Sequence, residues 1–227
     1  MTALLPGPLH DLPRTPLTDA RHIVVEGPIG VGKTTLAMRL AAHLGATMLL
    51  EQPSANPFLQ RFYQDPKRYA LQTQLFFLFQ RLDQLRELSQ PDFFGNKVVS
   101  DFLLDKDPLF AQMNLADDEF KLYSQIFAAT APQAVAPDLV IYLHARPEVL
   151  IARVKKRGIE AERRIGEGYL GLLAERYAQF FYHYNAAPVM IVNAENLDFA
   201  NHDSDFKLLI DRLAAMDGQR EYLNRGE

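Results

Sequence analysis

Short apolar runs alternate along this chain with longer stretches whose apolar residues recur every three or four positions. That alternation predicts a parallel sheet flanked by helices. The runs are His22–Glu26, Thr47–Leu50, Lys97–Asp101, Leu139–Leu143 and Val189–Val192. They are short and rich in β-branched residues or leucine, as strands buried on both faces should be. Helical spacing covers Lys33–Leu44, Asn56–Gln64, Lys67–Gln90, roughly Leu109–Met113, Asp117–Thr130, Pro147–Lys156, Gly168–Ala186 and Asp203–Met216. Pro147 suits a first helical position, while Pro91, Pro137 and Pro188 mark breaks. In 67–90, Leu71, Leu75, Leu78, Leu82 and Leu85 make one apolar stripe, and Gln74 and Arg81, seven apart, share another face. No internal repeat or linker interrupts the pattern, so residues 21–227 read as one domain. The first 20 residues, with Pro6, Pro8, Pro13 and Pro16 among charged residues, read as a disordered leader. They lack the cationic start and apolar stretch of a signal peptide.

The loop between the first strand and the first helix changes the picture. Gly27-Pro28-Ile29-Gly30-Val31-Gly32-Lys33-Thr34, followed by Thr35, fits G-x-x-x-x-G-K-[ST], with a strand before it and a helix after it. Backbone N–H groups can crowd around phosphate oxygens only where the chain bends tightly, which glycine allows. The helix start directs its positive dipole end at the same anion. Lys33 adds a cation for the outer phosphates, and Thr34 a hydroxyl for Mg²⁺. The expected architecture is therefore α/β: the three-layer sandwich of P-loop NTPases, with a five-stranded parallel sheet, a nucleoside triphosphate as ligand and Mg²⁺ as its companion.

Composition removes several function classes. The 227 residues are 48% hydrophobic and 23% charged, with net charge −4 and no cysteine. The pI near 5.9 gives no electrostatic case for a nucleic-acid polymer. Without cysteine there is neither a disulfide framework nor a thiolate metal site, which fits a reducing, cytoplasmic setting. No apolar run has membrane-spanning length. The histidines lack metal-ligand spacing.

Ligands of such sheets gather beyond the carboxyl ends of the strands, which singles out two carboxylates. Glu51 lies 18 residues after Lys33, just past the second strand. It reads either as a solvated strand end or as a base that orients a hydroxyl toward the γ-phosphate. Asp101 closes the third strand and reads either as a turn residue or as a partner of Mg²⁺. Gln74 could pair with a planar base edge, with Arg81 in support, or both could face solvent. Arg153, Lys155, Lys156, Arg157, Arg163 and Arg164 crowd around Gly158. They suit a lid, spanning about 153–168, that brings arginines onto a transferring phosphoryl group, or else a charged helix surface beside Glu160 and Glu162.

Taken together, these residues resemble the deoxyribonucleoside kinases, in particular the bacterial deoxyadenosine/deoxyguanosine kinase branch. The likeness runs from about His22 to Phe199. It is carried by G-P-I-G-V-G-K-T-T-L, by Glu51 followed by N-P-F-L-x-x-F-Y-x-D-P-x-x-Y-A, by Gln74 and Arg81, by L-F-A at 109–111, and by R-V-K-K-R-G with Y-L at 169–170. The resemblance implies transfer of the γ-phosphoryl of ATP, with Mg²⁺, to the 5′-OH of a deoxynucleoside. Glu51 would be the general base, Tyr63 and Glu162 would hold the 3′-OH, Gln74 would read the base, and Arg153 and Arg157 would be lid arginines. It also implies a homodimer packed through helices such as 67–90. Two positions depart from the family pattern: Phe102 stands where an arginine is usual after Asp101, and Ile159 where many relatives carry a further arginine. A monophosphate kinase of the thymidylate type shares the loop and sheet, and Phe102 also leaves open a nucleotide-binding regulator with weakened catalysis.

Overall fold

A computed structural model describes residues 16–88, 96–159 and 166–225. Six parallel strands form one sheet in the order β2-β3-β1-β4-β5-β6. They are β1 (His22–Glu26), β2 (Thr47–Leu49), β3 (Val98–Ser100), β4 (Leu139–His144), β5 (Val189–Asn193) and β6 (Arg220–Leu223). Five stand where the apolar runs predict them. The sixth corrects the expected five-stranded sheet. It extends the edge beyond β5, with Ile191 opposite Tyr222. An edge strand buries little, and in Arg220-Glu221-Tyr222-Leu223 only Leu223 is buried, so no apolar run announces it.

The helices are α1 (Pro16–Asp19), α2 (Lys33–Leu44), α3 (Leu59–Gln64), α4 (Pro66–Glu87), α5 (Asp107–Asn114), α6 (Asp117–Thr130), α7 (Pro147–Arg157), α8 (Glu167–His183) and α9 (Asp203–Ala214). The start of α4 is fixed locally. Pro66 takes the first position, and the Asp65 carboxylate accepts from the Arg68 N–H at 3.3 Å. None of the described helices is long and apolar enough to cross a membrane.

Helices cover both faces of the sheet, giving three layers. Ile23, Val25, Ile141 and Met190 pack with Leu36 and Leu40 of α2 and Leu209 of α9. On the other face Val24, Val140 and Tyr142 pack with Leu173, Tyr177 and Phe181 of α8. A third cluster joins α4, α5 and α6 around Leu78, Leu82, Phe102 and Tyr123. The expected disordered leader is corrected at its end. Pro16–Asp19 is helical, and Leu17 and Ala20 are buried in the α2/α9 cluster. Lys97 Nζ donates to the carbonyls of Leu17, Thr18 and Ala20 at 3.2, 2.9 and 2.6 Å, satisfying the end of that turn. Two apolar side chains among polar neighbours were too weak a pattern to read. Residues 1–15 lie outside the described residues.

The strand order positions the site. From β1 the chain passes to β2 on one side of the sheet, and from β3 it crosses to β4 on the other. A crevice opens where the connections part, beyond the carboxyl ends of β1 and β3. It receives the residues after Glu26 and after Ser100.

Candidate active site

The phosphate loop leaves β1 at Gly27 and becomes α2 at Lys33. A Cβ at Gly27 would lie 2.2 Å from the Leu143 carbonyl oxygen, and one at Gly30 2.9 Å from that of Leu150, so the loop packs against β4 and α7 as bare backbone. Gly32 precedes α2 in the left-handed region, with no side chain capping the helix. The first-turn N–H groups are thus left for an anion. Lys33 Nζ donates to the Pro28 carbonyl at 3.3 Å, folding over the loop. Burial lowers its pKa, opposed by Glu26, Glu51 and Asp101 and reinforced by Lys106.

Asp101 joins this loop to the opposite wall. Thr34 Oγ1 donates to one of its carboxylate oxygens at 2.6 Å, and the Glu51 backbone N–H donates to the other at 2.7 Å. Glu51 is therefore one shared carboxylate away from the phosphate loop. Its side chain, 19% exposed, is gripped by Arg81, whose Nε donates to Oε1 at 2.9 Å and whose Nη2 donates to the same oxygen. Burial would raise the Glu51 pKa. Arg81, then Lys106 and Lys33, outweigh it and hold the carboxyl at about 2. At neutral pH Glu51 is an anion with lone pairs to accept a hydroxyl proton.

Arg81 proves to be a bridge. Its Nη1 donates to Asp107 Oδ1 while Nη2 holds Glu51, and the arginine is 4% exposed. Such a guanidinium between two carboxylates satisfies its fork geometry on both sides. Burial pushes the Asp107 pKa up, and Arg81, Lys106 and the hydroxyl of the buried Tyr123 beside it oppose that shift. Gln74 lies on the same inward face of α4, 5% exposed, so it and Arg81 are polar members of a buried helix face that also holds Leu78, Leu82 and Leu85. Leu71 and Leu75 of the expected stripe are only half-buried. Tyr63 sits half-buried at the end of α3.

The lid residues divide. Arg153 Nη1 donates to the Val31 carbonyl at 3.2 Å, and Nη2 to those of Ala194 and Glu195 at 2.7 and 3.4 Å. Arg153 thus joins the phosphate loop to the segment after β5. Arg157 is exposed in the last turn of α7, before Gly158 in the left-handed conformation. Glu162, Arg163 and Arg164 lie outside the described residues.

Of three further buried residues, Glu26 and Asp107 were not proposed for the site from sequence, while the family resemblance puts Lys106, with Asp105, where relatives place base-contacting residues. Glu26 has no exposed surface, and Lys106 and Asp107 are 2% and 0% exposed. Glu26 directly precedes the phosphate loop, and Asp-Lys-Asp at 105–107 interrupts an apolar stretch, which were the available signals. Phe102 is 1% exposed and packs among Leu78, Leu82 and Leu85.

The deoxynucleoside kinase family model matches residues 23–216 of this chain. The chain belongs to that family. Deoxyguanosine kinase of Bacillus subtilis (strain 168) is 33% identical over 198 residues, covering 84% of this kinase and 95% of the relative. Deoxyadenosine kinase of Lactobacillus acidophilus is 34% identical over 194 residues, 79% and 88% of the two chains. A solved structure of deoxyadenosine kinase from M. mycoides with products dCMP and a flexible dCDP bound superposes with a TM-score of 0.74 at 27% identity. It covers 86% of this kinase and all of that chain. The same enzyme with bound dATP gives an equal TM-score, covering 85% and 98%. The kinase is thus a phosphotransferase acting on deoxynucleosides.

Proposed function

We propose that this kinase transfers the γ-phosphoryl of ATP, with Mg²⁺, to the 5′-OH of a deoxyribonucleoside, with purine bases preferred. One observation carries the reading: Thr34 of the phosphate loop and the backbone of Glu51 bind opposite oxygens of the same carboxylate, Asp101. A sugar hydroxyl held by Glu51 then faces the phosphates held by the loop. The loop N–H groups and Lys33 bind the triphosphate, and Arg157 closes over it as the lid cation. Arg153 acts through the loop that it braces. The hydroxyl proton passes to a Glu51 oxygen as the new O–P bond forms and the bond from the γ-phosphorus to the bridging oxygen breaks, leaving ADP. A carboxylate held so acidic is a weak base, and its main contribution is to orient the nucleophile, which a loose transition state requires. Thr34 and Asp101 offer the hard oxygens that Mg²⁺ takes, and the ion would offset charge on the phosphates. Tyr63 and Glu162 hold the 3′-OH, and Gln74, beside Arg81 and Asp107, reads the base edge.

The purine preference draws on relatives named for deoxyguanosine and deoxyadenosine. A homodimer through α4 and α6 is part of the proposal, since Phe79 and Leu122 are 45% and 48% exposed there. So is a cytoplasmic location, where ATP is supplied. A coupled assay with Mg-ATP and each of the four deoxynucleosides tests the reaction, with deoxyadenosine or deoxyguanosine as best acceptor. Glu51→Gln should lower kcat by about 10²–10⁴. Failure of a folded enzyme to turn over any of the four, or full activity in the variant, would reject the corresponding part.

A further inference from the structure

Beneath the phosphate loop lies a buried ion pair that the mechanism above does not use. Glu26 accepts from four donors: the Gly27 N–H at 2.8 Å, the Tyr177 hydroxyl at 3.0 Å, the Leu103 N–H at 2.8 Å and Lys106 Nζ at 2.9 Å. The side chains of Lys106 and Glu26 are 3% and 0% exposed. Three neutral donors already occupy the carboxylate. Adding a buried ammonium carries a desolvation cost, and an apolar pair of the same volume is often as stable. Stability is thus a poor reason for a lysine here.

Its surroundings suggest a better one. Among the described residues, the crevice holds four carboxylates, Glu26, Glu51, Asp101 and Asp107, and three cations, Lys33, Arg81 and Lys106. Arg81 is committed to Glu51 and Asp107. The residue after Asp101 supplies no charge, since Phe102 is turned into the apolar cluster of α4. Lys106, in the short turn Leu104–Lys106 after β3, is the cation that this connection contributes. Its charge is felt at Lys33, Glu51 and Asp107. We infer that Lys106 is a positioning residue for phosphoryl transfer: through Glu26 it ties the start of the phosphate loop to the turn after β3, and its own positive charge balances the carboxylates around the incoming phosphates. This rests on the phosphoryl-transfer reading, and it adds a cation that needs no contact with substrate.

A lysine present only to neutralise Glu26 would become dispensable once Glu26 is neutral. Glu26→Gln and Glu26→Gln/Lys106→Met share the same disturbance of the loop and differ only in the cation, so their ratio isolates it. With wild-type turnover first established, Lys106→Met should lower kcat by about 10²-fold, the usual effect of removing one preorganised charge. KM for ATP and nucleoside should change far less. On the Glu26→Gln background the same substitution should still lower kcat at least tenfold in protein shown to be folded by its melting transition. A smaller loss there, or a gain, overturns the inference and leaves Lys106 as the counter-ion of Glu26. Should the double variant not fold, the split in Lys106→Met decides: kcat unchanged, or a loss confined to KM, overturns it. Absence of wild-type turnover would instead count against the parent reading.

Discussion

The two walls of the crevice are built on different principles. The wall proposed to hold the phosphates is eight consecutive residues, Gly27 to Thr34, and its donors are main-chain amides plus one lysine. The acceptor wall is made of side chains, Glu51, Gln74, Arg81, Asp101 and Asp107, drawn from four segments and tied by ion pairs. A wall of amides is already made once the backbone has its shape, and its one cation, Lys33, is in no ion pair among the described residues. A wall of buried charges exists only while every partner is present. Loss of a charge should therefore cost activity on the first wall, and both activity and stability on the second.

The largest test removes the bridge. Arg81→Met leaves Glu51 and Asp107 without their shared cation, and should destabilise the fold by about 3–5 kcal/mol, read as a fall in denaturant midpoint. Adding Asp107→Asn should recover part of that loss. A single variant as stable as wild type would mean that the acceptor wall is not held by this network.

A smaller effect comes from β1 away from both walls. His22 is 4% exposed, with Nε2 3.0 Å from Ser100 Oγ. Burial lowers its pKa from 6.5 to about 4, against the attraction of Asp138. The unfolded chain therefore binds the extra proton first. Stability should be full above pH 6.5 and fall as the pH drops toward 4, by up to about 3 kcal/mol at about 1.4 per tenfold. Melting temperature against pH should be flatter over that window in His22→Gln. Parallel curves for the two proteins would remove His22 as the source, leaving any slope to the carboxylates of the walls.

The smallest change in stability is expected at Lys33. Lys33→Met should leave the melting transition within about 1 kcal/mol of wild type, because burial already disfavours its charge, while kcat falls by at least about 10²-fold. A loss of stability matching that of Arg81→Met would erase the contrast between the walls.

Legibility in the sequence followed the same division. The central strands, with buried neighbours on both sides, announced themselves as apolar runs. So did the edge strand Thr47–Leu49; the other edge, Arg220–Leu223, did not, because it opens on two charged residues, Arg220 and Glu221. Glu51 and Asp101 could be singled out because strand ends in such sheets point at the crevice. The bracing of Arg153 could not be read, because the carbonyls that it reaches, Val31, Ala194 and Glu195, belong to two distant loops.

What the order of residues determined alone was the local part: strand, glycine loop and helix, whose uncapped amides follow from backbone conformation over eight positions. The tertiary structure decided the charges. Whether Arg81 faces water or two carboxylates, whether Phe102 turns outward or into the apolar cluster, and which acid Lys106 meets depend on long-range packing. A buried charge is defined by its partners, and those lie 26 to 80 positions away along the chain.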